Sequence, residues 1–175
     1  HMHLLSYALS LEKANLNGCT GIDQLIGTVK DFIERENVPK GTWVQGRGWN
    51  ETFFKEKRLP SRDDLDKISQ EYPMVLTRTC GHLCVVNTKA LKIAGIYENP
   101  PEIKKGSIDK DEEGIPTGIL RENVENIVYN MIPKIGKDKV KKLILRAESD
   151  FLKTGLTSVQ TDDFKAFNDG FKDVL

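Results

Sequence analysis

Residues 73–96, PMVLTRTCGHLCVVNTKALKIAGI, combine strand and helix signals in one run. Its first half is rich in β-branched and apolar residues, which predicts a strand, or two strands broken at Gly81. Thr88 then predicts the cap of a helix that runs to Ala94, and Gly95 is the residue type that ends a helix. The stretch therefore predicts strand followed by helix in the middle of a chain that mixes both elements.

The same stretch carries a Cys-x-His-x-Cys motif made of Cys80, His82 and Cys84. On a strand, residues two apart point to one face, so the three side chains would converge. A structural zinc site takes four ligands, and the other cysteine, Cys19, stands alone far earlier in the chain. A disulfide is excluded because the two Cα atoms would lie about 13 Å apart on a strand. The residues favour small, buried, apolar cysteines over a zinc site.

Helices and strands are also predicted on both sides of this stretch. Thr20 with Asp23, and Ser61 with Asp64, have the spacing of capping boxes, which begin helices. The glycines of TWVQGRGW indicate a strand with a bulge or a close backbone approach. The remaining elements follow from apolar periodicity. Helices are predicted at 2–14, 21–36, 61–69, 121–131 and 137–154, strands at 42–49 and 156–161, a hairpin at 106–120, and an amphipathic tail after 161.

Composition is that of a water-soluble globular protein. Hydrophobic residues make up 38% and charged residues 30% of the 175 positions, which suffices for one domain with a small appendage. The 26 basic and 26 acidic side chains cancel, so no global field favours nucleic acid or a membrane surface. No apolar run approaches a membrane span, and nothing marks secretion. Three cysteines, an odd and low number, fit a reducing cytoplasm.

Candidate metal ligands begin the chain. His1 and His3 form an H-x-H pair, which at the end of a strand places both imidazoles on one side. Two imidazoles in that arrangement can clamp one divalent metal. The alternative is that His1-Met2 is the remnant of an expression tag, and the residue types alone favour this alternative.

Four carboxylates and an arginine–tryptophan pair are the other candidates. The carboxylates are Glu51, Glu122, Asp162 and Asp163. Glu122 opens a predicted helix, where negative charge is favourable by itself, and aspartate after a strand commonly caps the next helix. Structural roles are therefore favoured for the carboxylates. Arg47 and Trp49 flank a glycine in GRGWNE and are candidates to line a pocket.

Six segments, taken in order, resemble the amidohydrolase superfamily. They are HMHL (1–4), WVQGRGWNETFF (43–54), LPSRDDLDKIS (59–69), the 73–96 stretch, GIPTGIL (114–120) and LKTGLTSVQTDD (152–163). The pattern is similar to that of metal-dependent hydrolases related to N-substituted formamide deformylases. In that pattern the Gly81–His82 pair belongs to the motif and the cysteines do not. Cys80 and Cys84 are therefore expected to be buried packing residues that thiol reagents modify slowly in folded protein.

The resemblance implies an α+β insertion domain at 20–132, flanked at 1–19 and 133–175 by strand and helix pieces of a (β/α)8, or TIM, barrel. It also implies hydrolysis of amide-like C–N bonds in small molecules, with one or two divalent metal ions, commonly zinc. Active sites lie on the loops at the mouth of such barrels, so the insertion domain would cover the substrate pocket. The residues expected to face that pocket are Arg47, Trp49, His82 and Glu122.

The metal would be held in the parent protein only, with His1 and His3 as two of its ligands. A catalytic zinc takes about three protein ligands, and His82 is the one histidine that remains in the sequence. The resemblance therefore implies an internal fragment of a longer enzyme, inactive by itself and without a fully bound metal. The alternative is a stand-alone metal-binding or interaction module that uses Cys80, His82 and Cys84.

Self-association is expected from the barrel-derived end. A barrel strand at 156–161 would lack neighbours, and the apolar stripe of the helix at 137–154 would lack a partner. Unpaired strand edges and exposed apolar patches promote association. We therefore expect a homo-oligomer joined through residues 137–175.

Overall fold

A computed structural model describes residues 2–161 and residue 163 of the chain. The chain divides into two compact units, which we call the larger unit (Ala14–Ile132) and the smaller unit (His1–Lys13 with Pro133–Leu175). The insertion domain at 20–132 stays a prediction; the sheet of the larger unit already includes Ala14.

The described residues of the larger unit form a six-stranded mixed sheet in the order β1-β2-β3-β4-β6-β5. Its strands are β1 (Ala14–Asn15), β2 (Val44–Trp49), β3 (Met74–Arg78), β4 (Leu83–Val86), β5 (Ser107–Lys110) and β6 (Pro116–Arg121). β1, β2 and β3 run parallel, and β4, β6 and β5 continue the sheet as antiparallel pairs. The bulge predicted in the glycine-rich strand is confirmed, because the β2–β3 register shifts between Arg47 and Trp49.

Helices cover both faces of this sheet. Numbered with α1 (Leu4–Ser10) of the smaller unit, they are α2 (Ile22–Arg35), α3 (Arg62–Asp66), α4 (Thr88–Ile93) and α5 (Glu125–Tyr129), with a 3-10 turn at Glu122–Val124. Successive strand residues point to opposite faces. In β3, Met74 and Leu76 therefore pack in a cluster with α2 and α3, whereas Val75 packs in a cluster with α4 and α5. Cover on both faces explains why β3 is almost entirely buried.

The 73–96 stretch folds as β3, a turn, β4 and α4, so the predicted break at Gly81 is confirmed. The Cys-x-His-x-Cys motif starts in the turn instead of lying on one strand. Cys84 is buried in β4, but Cys80 is exposed. The prediction that both cysteines are buried is therefore wrong for Cys80, because the turn lifts it off the sheet.

The predicted helix caps have mixed outcomes. Ser61 and Asp64 form a reciprocal capping box at α3, as predicted. The Thr20–Asp23 box is wrong: α2 begins after Gly21 without a side-chain cap, and the Ile22 N–H donates to the Glu56 carboxylate, 3.2 Å away. At α4 the cap lies one residue earlier than predicted, since the Asn87 side chain accepts the Ala90 N–H at 3.0 Å.

In the smaller unit, α1 packs against α6 (Lys137–Lys153). Val140, Leu143 and Ala147 of the predicted apolar stripe are buried. Leu143 and Ala147 pack in one cluster with Ala8 of α1, so α1 supplies a partner that the sequence did not reveal. Residues 156–161 do not form the predicted strand: the Met2 N–H donates to the Gln160 carbonyl at 3.0 Å, but no ladder follows. The predicted tail after 161 lies outside the described residues apart from Asp163. None of the described helices is long and apolar enough to cross a membrane.

Candidate functional site

A cavity of about 450 Å³ opens at one end of the sheet in the larger unit. It lies where β3 turns into β4 and where β6 ends. Most of its lining residues are charged or polar, but apolar atoms, including those of Leu59 and Leu83, make up most of the lining surface. The lining residues are Glu51, Leu59, Arg78, Cys80, His82, Leu83, Gly106, Ser107, Arg121 and Glu122.

His82 and Glu122, two of the four residues predicted for a pocket, meet at this cavity. His82 Nδ1 lies 3.2 Å from Glu122 Oε2, and the Glu122 backbone N–H donates to the His82 carbonyl at 2.9 Å. Glu122 has a left-handed backbone, with φ of 55°, which costs a non-glycine residue on the order of 1 kcal/mol. Both side chains are more than half exposed, so the pair adds little stability by itself and is accessible to a ligand.

Arg78 and Glu51 form one fixed wall of the cavity. The Arg78 guanidinium donates to both carboxylate oxygens of Glu51, at 2.7 and 3.0 Å, and to Asn50 Oδ1 at 3.1 Å. Hydrogen bonds from Arg78 hold the pKa of Glu51 below its usual range. Such a bidentate pair is geometrically rigid. The sequence did not single out Arg78, because its pairing with Glu51 depends on the folded sheet.

Arg121, which also lines the cavity, is paired with Asp109. The Arg121 guanidinium donates to Asp109 Oδ2 at 2.7 Å and to Asp109 Oδ1 at 3.0 Å. The two residues lie on the paired strands β6 and β5, so the hairpin fixes the guanidinium. Both arginines of the cavity thus have a carboxylate partner.

Cys80 places a thiol at the cavity. Its Sγ accepts the backbone N–H of His82 at 3.5 Å. Burial acts to raise the pKa of the Cys80 thiol, but the His82 amide and the Arg78 guanidinium outweigh it and hold that pKa below its ordinary value. Cys80 is therefore a chemically accessible side chain and not part of the core.

Arg47 and Trp49, the other two residues predicted for a pocket, lie apart from the cavity. Trp49 is fully buried in the core, and its indole N–H donates to the Leu76 carbonyl at 2.9 Å. The structure therefore gives Trp49 a packing position, because β2 turns it toward α2. Arg47 is exposed and lies beside the β3–β4 turn: a Cβ added at Gly81 would be 3.4 Å from its Nη2.

Glu125 is a buried carboxyl that the sequence did not indicate. Only 6% of its surface is exposed, and its Oε1 has no hydrogen-bond partner among the described residues. An unsatisfied buried group of this kind costs about 1–3 kcal/mol of stability. Burial, and then the nearby charge of Glu122, raise the pKa of Glu125 to about 7, against the opposing charges of His82 and Arg47.

His3 of the smaller unit contacts Asp163. His3 Nδ1 lies 2.8 Å from Asp163 Oδ1, and Asp163 Oδ2 accepts the Leu5 N–H at 2.6 Å. Asp163 is almost completely buried, and although burial acts against it, these hydrogen bonds lower the pKa of Asp163. A carboxylate on one ring nitrogen is the arrangement that orients metal-binding imidazoles.

Comparison with known proteins identifies the family. The model of the Amidohydrolase family matches residues 1–173. The chain belongs to the amidohydrolase family. The resemblance read from the six sequence segments is thereby confirmed.

Three relatives of this amidohydrolase chain are much longer than the chain itself. Protein YtcJ of Bacillus subtilis is 32% identical over 97% of the chain and 32% of its own length. The N-substituted formamide deformylase of Arthrobacter pascens is 33% identical over 75% of the chain and 25% of its length. The crystal structure of an uncharacterized metal-dependent hydrolase from Pyrococcus horikoshii OT3 matches with a TM-score of 0.61 and 28% identity, over 92% of the chain and 29% of that protein. The chain thus spans about a third or less of these relatives.

The described residues of this amidohydrolase chain do not form a metal site. Within residues 2–161 and 163, no three histidine, cysteine, aspartate or glutamate side chains are grouped so that they could hold a metal ion. His3 with Asp163 supplies one oriented imidazole, whereas a catalytic zinc takes about three protein ligands. His1, the other predicted ligand, lies outside the described residues.

Proposed function

We propose that this chain is the pocket-covering part of a metal-dependent hydrolase that acts on amide-like C–N bonds of small molecules. The observation that carries the proposal is the family match over residues 1–173, together with a metal-dependent hydrolase as a structural neighbour. The formamide deformylase among the relatives supports amide-like substrates. In this proposal the larger unit is the α+β insertion domain, and the smaller unit contributes pieces of a TIM barrel.

The cavity gives this proposal its substrate-facing residues. The His82–Glu122 pair is exposed and tied to one backbone conformation by the Glu122 N–H. With Nδ1 of His82 paired to the Glu122 carboxylate, a neutral imidazole leaves Nε2 as an acceptor for the N–H of an amide. The Arg78–Glu51 pair ties β3 to the 3-10 turn at Glu51–Phe53, and the Arg121–Asp109 pair ties β6 to β5. We propose His82 and Glu122 as substrate-contacting residues and the two ion pairs as their frame.

The metal belongs to the whole protein in this proposal. A divalent ion, with zinc as the expected species, would activate water for hydrolysis. His1 and His3 would be two of its ligands, and Asp163 orients the His3 ring. The described residues contribute no further ligand group, so this chain alone is expected to be inactive. A cytoplasmic location, expected from the cysteines, is part of the same proposal.

The stand-alone metal module is not favoured. Cys80 lies exposed in a turn and Cys84 lies buried in β4, and the described residues contain no metal-binding group around them.

The test compares this chain with the full-length protein that contains it. Both are stripped with chelator, supplied with zinc, and assayed for hydrolysis of N-substituted amides and matched esters. We expect zinc-dependent amide hydrolysis by the full-length protein and none above the stripped control by the chain alone. Full-length protein that hydrolyses no amide in any metal, or turnover by the chain alone, would overturn the proposal.

A further inference from the structure

A row of polar side chains crosses the face of the sheet that α5 covers. Arg47 of β2 is the register partner of Thr77 in β3, and Thr77 is the partner of Cys84 in β4. Partners in adjacent strands lie on the same face. The Tyr129 hydroxyl lies 2.5 Å from Thr77 Oγ1, which fixes α5 over the row. Glu125 precedes Tyr129 by four residues and therefore lies on the same side of α5.

Two groups near this row have hydrogen-bonding capacity that the described residues do not fill. Glu125 Oε1 is buried without a donor. The exposed Arg47 guanidinium beside the β3–β4 turn makes no hydrogen bond or ion pair with another described residue. The charge of Arg47 acts on Glu125, so the two groups share one electrostatic environment. Buried unsatisfied groups are rare in folded proteins and call for an explanation.

We propose that Arg47 and Glu125 form a subsite that binds a neutral amide group. The amide carbonyl accepts hydrogen bonds from the Arg47 guanidinium, and the amide N–H donates to the Glu125 carboxylate. The subsite deepens the proposed function by naming the group of the substrate that the larger unit holds. Neither Arg47 nor Glu125 is among the residues that line the cavity described above.

The charges of the subsite favour a neutral amide over a carboxylate or an amine. Glu125 and Glu122 are two carboxyl groups against one permanent cation, Arg47. A carboxylate ligand would add a third negative charge, and an ammonium ligand would lie against Arg47. An amide adds no charge and presents one donor and one acceptor to the two unfilled groups.

The test is a binding titration of this chain at pH 8, in which ¹⁵N–¹H NMR detects the bound ligand. Benzamide, benzoate and benzylamine share one ring and differ in charge. Benzamide is expected to bind with a dissociation constant of about 1–10 mM, typical of so small a ligand, and to shift the Gly81 and Glu125 amides. Glu125→Leu should weaken benzamide binding about tenfold, because it removes a charged acceptor, and Arg47→Met about fivefold. The matched control is Lys30→Met, an equal charge change on the exposed side of α2, which should bind as wild type does.

Glu125→Leu also distinguishes a ligand-binding role of Glu125 from a purely structural role. Because it removes an unsatisfied buried carboxyl, it should bind worse while its melting temperature stays level or rises. If Glu125 had only a structural role, Glu125→Leu would lower the melting temperature, and Arg47→Met would bind benzamide as wild type does. No benzamide binding at 50 mM (on the order of five times the weakest expected constant), equal binding of benzoate, or wild-type affinity in either variant would overturn the subsite. The titration involves no turnover, so its failure is distinct from failure of the amide hydrolysis assay.

Discussion

Replacing Glu125 by Gln should make the larger unit more stable at pH 8 but hardly at pH 4. The pKa of the folded carboxyl is raised from 4.5 to about 7 by burial and then by Glu122. Between these values the folded state binds more protons than the unfolded state, so stability falls as pH rises. The contribution of Glu125 to the free energy of unfolding is fully present below pH 4.5 and is lost as pH rises through 7. The shift corresponds to about 3 kcal/mol at pH 8, and glutamine, which cannot ionise, avoids this loss.

The assay is urea unfolding at pH 4, 5, 6, 7 and 8, monitored by tryptophan fluorescence. Both tryptophans, Trp43 and Trp49, lie in the larger unit, so the signal reports the unit that contains Glu125. The variant should gain less than about 1 kcal/mol at pH 5 and about 3 kcal/mol at pH 8. Glu113→Gln, at an exposed position, should follow the wild-type curve. A difference that does not change with pH, or a Gln variant less stable than wild type at pH 8, would show that folding does not raise the pKa of Glu125.

Three further predictions concern the cysteines, a backbone site and self-association. A thiol reagent should modify Cys80 rapidly in folded protein and Cys84 only after unfolding, since burial raises the pKa of the Cys84 thiol; equal rates for the two would contradict the structure. Gly118→Ala should cost about 3 kcal/mol or more in urea unfolding, because its Cβ would lie 2.4 Å from the Val86 carbonyl oxygen. Gly114→Ala, with a similar φ but open space around it, should cost only about 1 kcal/mol. Light scattering over a dilution series should show association through residues 137–175, where α6 exposes Leu145 and Leu152; Leu152→Lys should weaken it, and a wild-type chain that remains monomeric at high micromolar concentration would exclude it.

The sequence predicted elements whose signals are local. The β3–β4–α4 stretch has its break at Gly81 and its stop at Gly95, where the structure has a turn and a helix end. The Ser61–Asp64 capping box also lies within four residues. Each of these signals needs only neighbours in the chain, and each was therefore readable without the fold.

The errors arise where distant residues decide the structure. The predicted Thr20 cap is replaced by Glu56, which reaches the Ile22 N–H from another part of the unit. The two-residue strand β1 exists only because it pairs with β2, and 156–161 is not a strand because the described residues offer it no ladder. A strand depends on its partners, and periodicity alone does not supply them.

The candidate site was partly predictable, because only some of its residues carry a local sequence signal. His82 and Glu122 stood out as a histidine in a motif and an acid at a helix start, and the fold brings them to one cavity. Arg78, Arg121 and Glu125 were missed, because ordinary charged residues become informative only when sheet register pairs or buries them. Trp49 looked like a pocket residue, but the direction of its side chain follows from the β2 register, which places it in the core.

The most direct test of the account is steady-state kinetics of His82→Asn in the full-length protein. His82 is proposed to contact the substrate and is not a proposed metal ligand, and its side chain is exposed, so the substitution should leave the fold intact. We expect that the KM for an N-substituted amide rises about tenfold, as expected for one lost substrate hydrogen bond, while metal content and melting temperature stay unchanged. Lys30→Met serves as the control and should leave KM at the wild-type value. An unchanged KM in His82→Asn, or loss of the metal from that variant, would contradict the claim that this chain covers the substrate pocket.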